Sequence, residues 1–262
     1  MLRFAANLSM MFTELPFMER FAAARQAGFN GVEFLFPYDF DAGDLAAQLA
    51  AYDLKQVLFN LYPGDFSAGE RGLAAMPGRE ADFEASVSQA LAYADALGCS
   101  LLHCMAGVPT PSDDPERVRD TYIGNLRRAA AEASAHGVTI LIEPINLRDN
   151  PGYFLSDLGE ARRIIESVAV DNLRLQLDLY HRQVTRGDLI HAIRDYLDIA
   201  RHVQIANPPD RADPGTGEIN YPFVFAELET LGYDGWIGCE YRPPAATTDS
   251  LAWFEPYMTR TH

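Results

Sequence analysis

The 262-residue chain has few cysteines, few basic residues and no long apolar run, and each shortage closes off a class of protein. Its three cysteines, Cys99, Cys104 and Cys239, are an odd number with no C-x-x-C pair and no metal-site spacing. They read as reduced, mostly buried thiols of a cytoplasmic protein rather than a disulfide framework or a zinc site. No stretch reaches the ~18 consecutive apolar residues of a membrane span. The opening MLRFAANLSMMFTELPF lacks the apolar core and cleavage site of an export signal. Lys and Arg number 21 against 37 Asp and Glu, a formal charge of −16, so nucleic acid or an anionic membrane would be repelled over most of the surface. A small anionic substrate remains compatible, because a metal ion and one or two arginines reverse the potential inside a cleft. There is no G-x-G-x-x-G after a strand and no G-x-S-x-G elbow, and PGTGE at 214–218 lacks the third glycine and the helix start that would cradle a phosphate.

What the chain does have is alternation. Eight short apolar runs, at 3–8, 31–36, 55–60, 100–106, 139–145, 173–180, 202–207 and 236–241, are separated by longer helical patterns, several of which close on a glycine (Gly28, Gly98, Gly137). Ser156 stands where the helix after 155 should be capped. Repeated strand–helix units over a length close to the roughly 250 residues of an eightfold barrel predict an α/β fold, a (β/α)8 TIM barrel, as one domain over 1–262. No linker, low-complexity tract or coiled-coil heptad interrupts it.

Four polar residues, Glu143, Asp178, Gln204 and Glu240, fall late in four successive strands, separated by 35, 26 and 36 residues. In such a barrel the strand C-terminal ends form one mouth, where chemistry sits. Strand alternation puts Ile140, Ile142, Val203, Ile205, Ile237 and Cys239 against the helices and the polar set toward the axis. Singly, an acidic residue at a strand end is more often a solvated turn or cap residue. Together, three carboxylates and an amide oxygen predict a hard divalent cation, Mg²⁺ or Mn²⁺, because these ions favour oxygen ligands and inward carboxylates without one repel each other. His181, three residues after Asp178, is placed to donate to a substrate oxygen or to serve as a minor ligand, whereas His103 and His202 read as deeper barrel-interior residues. Two long Gly- and Pro-rich loops follow strands, 61–79 and 208–222, and so overhang the mouth. Arg211 in the second has the fork geometry to hold a substrate carboxylate, with Arg71 in the first a weaker candidate.

The segments RFAANLSMMF, GVEFLFPYD, PGDFSAGERG, PGRE, LIEPIN, QIANPPDR, PGTGEINYPF and GWIGCEYRP, in that order over about residues 2–257, resemble the hydroxypyruvate isomerase family of the xylose-isomerase-like barrels. The resemblance implies a divalent metal held at Glu143, Asp178, Gln204 and Glu240, the two glutamates as the acid/base pair, and substrate contacts from His181 and Arg211. Gln204 stands where the wider superfamily commonly has histidine. The implied reaction interconverts hydroxypyruvate and tartronate semialdehyde through an enediolate, with no organic cofactor. RFAANLSMMFTE and HVQIANPPDR also resemble members acting on 2-oxo-tetronates, so that activity is the alternative. A ketose 3-epimerase, a non-catalytic sugar- or oxo-acid-binding barrel and a metal-dependent endonuclease rank lower. The expected partner is a small anionic hydroxy-oxo acid, with homo-oligomerisation left open.

Overall fold

Every strand run is too apolar on one face to be left in water, and the chain resolves this by rolling the strands into a closed sheet under a shell of helices. The computed structural model describes residues 2–258; residues 1 and 259–262, the ends of the span expected as one domain, lie outside the described residues. The strands are β1 (Arg3–Asn7), β2 (Gly31–Glu33), β3 (Lys55–Asn60), β4 (Leu101–His103), β5 (Thr139–Ile142), β6 (Leu173–Asp178), β7 (Ala200–Ile205) and β8 (Trp236–Cys239). They pair in chain order, all parallel, and β8 returns to β1. Between them run α1 (Arg20–Gln26), α2 (Ala42–Ala51), α3 (Glu80–Leu97), α4 (Pro115–Ala135), α5 (Leu158–Val168), the pair α6 (Leu179–Thr185) and α7 (Leu189–Tyr196), and α8 (Tyr221–Thr230). Among the described residues no helix is long and apolar enough to cross a membrane, and the three cysteines are free and buried.

All eight expected strands are present, but most stop earlier than the apolar runs do. β5 ends at Ile142 rather than at 145 because Pro144 has no N–H to continue the ladder. Glu143 and Glu240 each stand one residue past the end of their strands, the Glu240 N–H still donating to the Ile205 carbonyl. The cap of α5 is Asp157 rather than Ser156: the Asp157 carboxylate accepts from the Glu160 N–H, and an anionic oxygen also complements the helix dipole. Gly98 closes α3 in the left-handed conformation expected of it.

The outward face of the strands, including Ile140, Ile142, Val203, Ile205 and Ile237, is buried beneath the helices. Inside, the lower barrel is filled by Ala5, Val57, Leu58 and Leu141, with Leu101 and Trp236 packed against them. The upper interior is polar: Asn7, Glu33, Asn60, His103, Gln176 and Gln204 are all buried there. A polar mouth toward the axis is what the strand alternation implies; the apolar floor beneath it, with consecutive Val57 and Leu58 in one cluster, is an addition to that pattern.

Gly238 lies on the inner face of β8, where an added Cβ would stand 2.3–2.6 Å from the Glu33 carboxylate. That carboxylate is itself held by Asn7, His202 and Gln204. Gly238→Ala should therefore destabilise the fold by about 1–3 kcal/mol, the usual cost of overpacking, read as a lower urea midpoint at unchanged slope. An unshifted midpoint would mean that Glu33 yields freely.

Candidate active site

The strand ends open into a cavity of about 1120 Å³, lined among others by Glu143, His181, Gln204, Arg211 and Glu240, with Arg71 at its rim. Asp178 is both the last residue of β6 and the cap of α6. Its Oδ1 accepts from the N–H groups of Tyr180 (2.6 Å) and His181 (3.1 Å). Capping thus occupies one oxygen and leaves Oδ2 facing His181 Nε2 at 3.6 Å and Arg211 Nη2 at 3.2 Å. Glu143 lies 3.8 Å from His181 Nε2 through Oε1 and 3.6 Å from His103 Nδ1 through Oε2. Glu143 Oε1 is buried and has no hydrogen-bond partner.

Ligand atoms of Glu143, Asp178 and His181 come within 4.8 Å of one another, close enough to share one cation. Glu240 stands outside that group and is joined to it by Arg211, whose Nη2 is 3.2 Å from both Glu240 Oε1 and Asp178 Oδ2. Gln204 sits beside Asp178 in register, with its Oε1 accepting from Gln176 Nε2 at 2.6 Å. The four residues singled out by spacing thus share one mouth, linked through Arg211 and Gln176 rather than collected into a single cluster.

Arg211 differs from the expectation of a fork held open above the site, because its guanidinium is already lodged among the carboxylates. The loop after β7 turns back through left-handed backbone at Asp210 and Arg211 (φ 68° and 56°). It is pinned by reciprocal Asn207–Ala212 bonds and by the Arg242 N–H to the Arg211 carbonyl. Gly217 completes the turn, since a Cβ there would strike the Pro208 carbonyl oxygen at 2.4 Å. The guanidinium also lies 4.7 Å over the Tyr180 ring. Arg71 stays at the rim, stacked 3.9 Å over Phe66 and donating to the Phe66 and Glu70 carbonyls.

The state of His181 follows from its neighbour. Asn146 Oδ1 accepts from the Asp149 N–H while Nδ2 donates to Asp149 Oδ2, so the amide orientation is fixed. Asn146 Nδ2 then lies 2.6 Å from His181 Nδ1, which must accept. Burial holds His181 down to about 4, so at neutral pH the ring is uncharged, and, with Nδ1 accepting, its proton is on Nε2, which faces the carboxylates and also lies 3.3 Å from Arg211 Nη1. Burial likewise pushes His103 down to about 3. For the acids the same desolvation acts upward. It raises Glu143 well above the usual carboxyl range, with Asp178 and Glu240 adding to it. Burial raises Glu240 to about 8 against the opposing pull of Arg211.

Several members of the site carried a readable signal that the strand spacing did not pick up. Glu33 interrupts the apolar run 31–36 at its third residue, and spacing counted from β5 onward passes over β2. His103, read as a deeper interior residue, lies beside Glu143 and lines the cavity; His202 is fully buried against Glu33. Asn146 sits in the EPIN segment, but its hold on His181 depends on the β5–α5 loop conformation. The donor set of carboxylate and amide oxygens, with one buried carboxylate oxygen unpartnered, fits a hard divalent ion better than a soft one.

Comparison with known proteins agrees with this architecture. A family model described as xylose isomerase-like TIM barrel matches residues 21–257. The chain is 52% identical over 258 residues to a 2-oxo-tetronate isomerase of Cupriavidus necator, covering 98% of this chain and 99% of that protein. It is 45% identical over 257 residues to hydroxypyruvate isomerase of Escherichia coli K12, covering 98% and 100%. A crystal structure from Brucella melitensis described as AP endonuclease, family 2, superposes with a TM-score of 0.97 at 52% identity, covering 99% and 100% of the two chains.

The raised carboxyls make stability depend on pH in a definite direction. A folded state that binds these protons more tightly than the unfolded chain gains stability that is complete below the ordinary glutamate value of about 4.3 and is lost as pH rises through the folded values. For Glu240 that loss extends to about 8. Protein freed of metal ions should therefore melt at progressively lower temperature between mildly acidic pH and pH 8 in calorimetry. The Glu143→Gln/Glu240→Gln double variant should lack this slope; an identical slope in both proteins would rule these two groups out as its source.

Proposed function

The chain belongs to the xylose isomerase-like TIM-barrel family, and from that premise we propose that it is an isomerase of short 2-oxo acids bearing a hydroxyl on C3, moving a proton between C3 and C2 through an enediolate. The observation that carries this reading is the pair of buried glutamates, Glu143 and Glu240, just past the ends of β5 and β8, with Asp178 and Gln204 between them in strand order. Proton exchange at carbon needs a group that both takes and returns a proton, and a carboxyl raised toward the working pH does so best. Glu240, at about 8, is so placed. Two such groups from different strands reach two carbons of one bound chain.

Arg211 is the cation already seated in the mouth, and its fork is suited to the substrate carboxylate that two acidic neighbours would otherwise repel. His181, neutral and donating from Nε2, would hydrogen-bond an oxygen that gains negative charge as the proton leaves C3, without itself giving up a proton. The buried setting strengthens both interactions. A Mg²⁺ or Mn²⁺ ion, held by Glu143, Asp178, Gln204 and Glu240, would when bound supply Lewis-acid stabilisation of the enediolate oxygens. No organic cofactor is required.

Two substrates share this reaction centre. Hydroxypyruvate gives tartronate semialdehyde, and a 2-oxo-tetronate gives the 3-oxo isomer by the same C3-to-C2 transfer. The sequence segments favour the three-carbon acid. The 52% identity to the C. necator protein and a cavity roomy for three carbons support the four-carbon acid, which we place first. An endonuclease reading, as in the description of the Brucella chain, sits poorly with a formal charge of −16.

Glu143→Gln and Glu240→Gln each keep a side-chain oxygen while removing a proton-transfer group, so kcat should fall by roughly 10²–10⁴-fold with folding unchanged. Near-normal turnover in both variants would remove the acid/base assignment. Assays of the wild type on hydroxypyruvate and both 2-oxo-tetronates, followed by NMR in D₂O, should show solvent deuterium at the reprotonated carbon and the higher kcat/KM on a tetronate. A higher value on hydroxypyruvate would reverse the order, and binding without turnover or exchange of any of them would make the barrel a binding protein. Arg211→Lys should raise KM for every acid that turns over, since a point charge does not reproduce a bidentate fork.

A further inference from the structure

Glu33 makes no appearance in the chemistry above, yet its carboxylate meets three side chains of the barrel interior. It reaches the axis from the end of β2 and is 1% exposed. Its Oε1 accepts from Asn7 Nδ2 (3.0 Å) on β1 and Gln204 Nε2 (2.8 Å) on β7, and its Oε2 lies 2.7 Å from His202 Nε2. To meet β7 the side chain must pass β1 and β8, where the paired inner residues are Ala5 and Gly238. Only residues this small leave room for it, which is why a Cβ on Gly238 would collide with the carboxylate. Asn7 is itself oriented, because its Oδ1 accepts from the Ser9 N–H and so its NH₂ must face Glu33.

We infer that Glu33 is a positioning residue that fixes the amide of Gln204, holding its NH₂ end toward β2 so that its oxygen, which accepts from Gln176, is turned toward β6 and the cation site. The inference rests on the metal-holding role proposed for Gln204. The two ends of an amide are nearly the same shape but opposite in charge. A carboxylate accepts and does not donate, so it can hold only the NH₂ end. On the other side Gln176 Nε2 donates to Gln204 Oε1 at 2.6 Å, and Asp178 is the register partner of Gln204. The amide is thus clamped at both ends. Gln176 also lies close enough to Glu143 to pull its carboxyl downward against burial, so the side chains from β2 to the proposed acid/base residue at the end of β5 are neighbours. Freed from Glu33, Gln204 would be able to turn its NH₂ toward the cation site, where a donor repels the ion.

The test is Mn²⁺ affinity by isothermal titration calorimetry, with folding followed by circular dichroism melts. Glu33→Met fills the space without an acceptor and Glu33→Ala removes the side chain, so either one that folds decides the matter. We expect the loss of roughly 10–100-fold in affinity typical of removing a group that orients a metal ligand. Glu33→Gln, which keeps one acceptor oxygen for Gln204, should restore most of it. In a Gln204→Ala background the Glu33 substitutions should change affinity by less than about twofold, because coupled sites do not add. Additive losses, or a Glu33→Gln protein that binds as poorly as Glu33→Met, would assign the effect to lost charge and overturn the positioning role. Asp178→Asn separates the two levels: if it weakens Mn²⁺ binding and the Glu33 variants do not, only the positioning role fails, whereas a wild type that binds no Mn²⁺ removes both readings together.

Discussion

The whole upper half of this barrel is organised around buried negative charge. Glu33, Glu143, Asp178 and Glu240 are all nearly inaccessible and all project into one mouth. Isolated carboxylates so placed would be strongly destabilising, and each is met by a different device. Glu33 is saturated with donors. Asp178 gives one oxygen to a helix cap and the other to Arg211. Glu240 shares that same guanidinium. Glu143 is left with an unpartnered oxygen, and burial raises its carboxyl well above the usual range. The left-handed turns at Asp210 and Arg211, the Asn207–Ala212 bridge and Gly217 all serve to lower one guanidinium into this cluster.

Much of this was legible from the sequence because the fold itself is periodic. Apolar runs recurring at strand–helix spacing force a parallel barrel, and the face of each strand follows from alternation. Glu143, Asp178, Gln204 and Glu240 were therefore found at the same mouth. What escaped were relations between residues far apart in the chain. That Glu33 meets His202 and Gln204 depends on there being no side chain at Gly238 and only a methyl at Ala5, a fact about shape across four strands rather than pattern along one. The lodging of Arg211 among the carboxylates depends on loop backbone angles that no local residue preference dictates, since neither Asp210 nor Arg211 is a glycine. Strand ends were misjudged for a related reason: apolar character continues after hydrogen bonding stops, as at Pro144.

Family membership and local physics constrain different things. The identity to isomerases of hydroxypyruvate and 2-oxo-tetronate bounds the reaction type, whereas the position of each proton comes from neighbours. Asn146 determines which nitrogen of His181 carries hydrogen, and desolvation keeps that ring neutral beside two acids. Neutrality suits a donor that has to stay in place while charge develops next to it.

The apolar plug of Ala5, Val57, Leu58, Leu141 and Trp236 has a kinetic corollary. A vessel stoppered at its base exchanges with the surroundings through one opening only. Under the proposed reaction, hydrogen lifted from carbon onto a carboxyl has no back route to bulk water, so its fate is a race between return to the neighbouring carbon and dilution by solvent arriving over the rim. The extent of isotopic memory in the product then becomes a clock for how long that rim stays shut in each turnover.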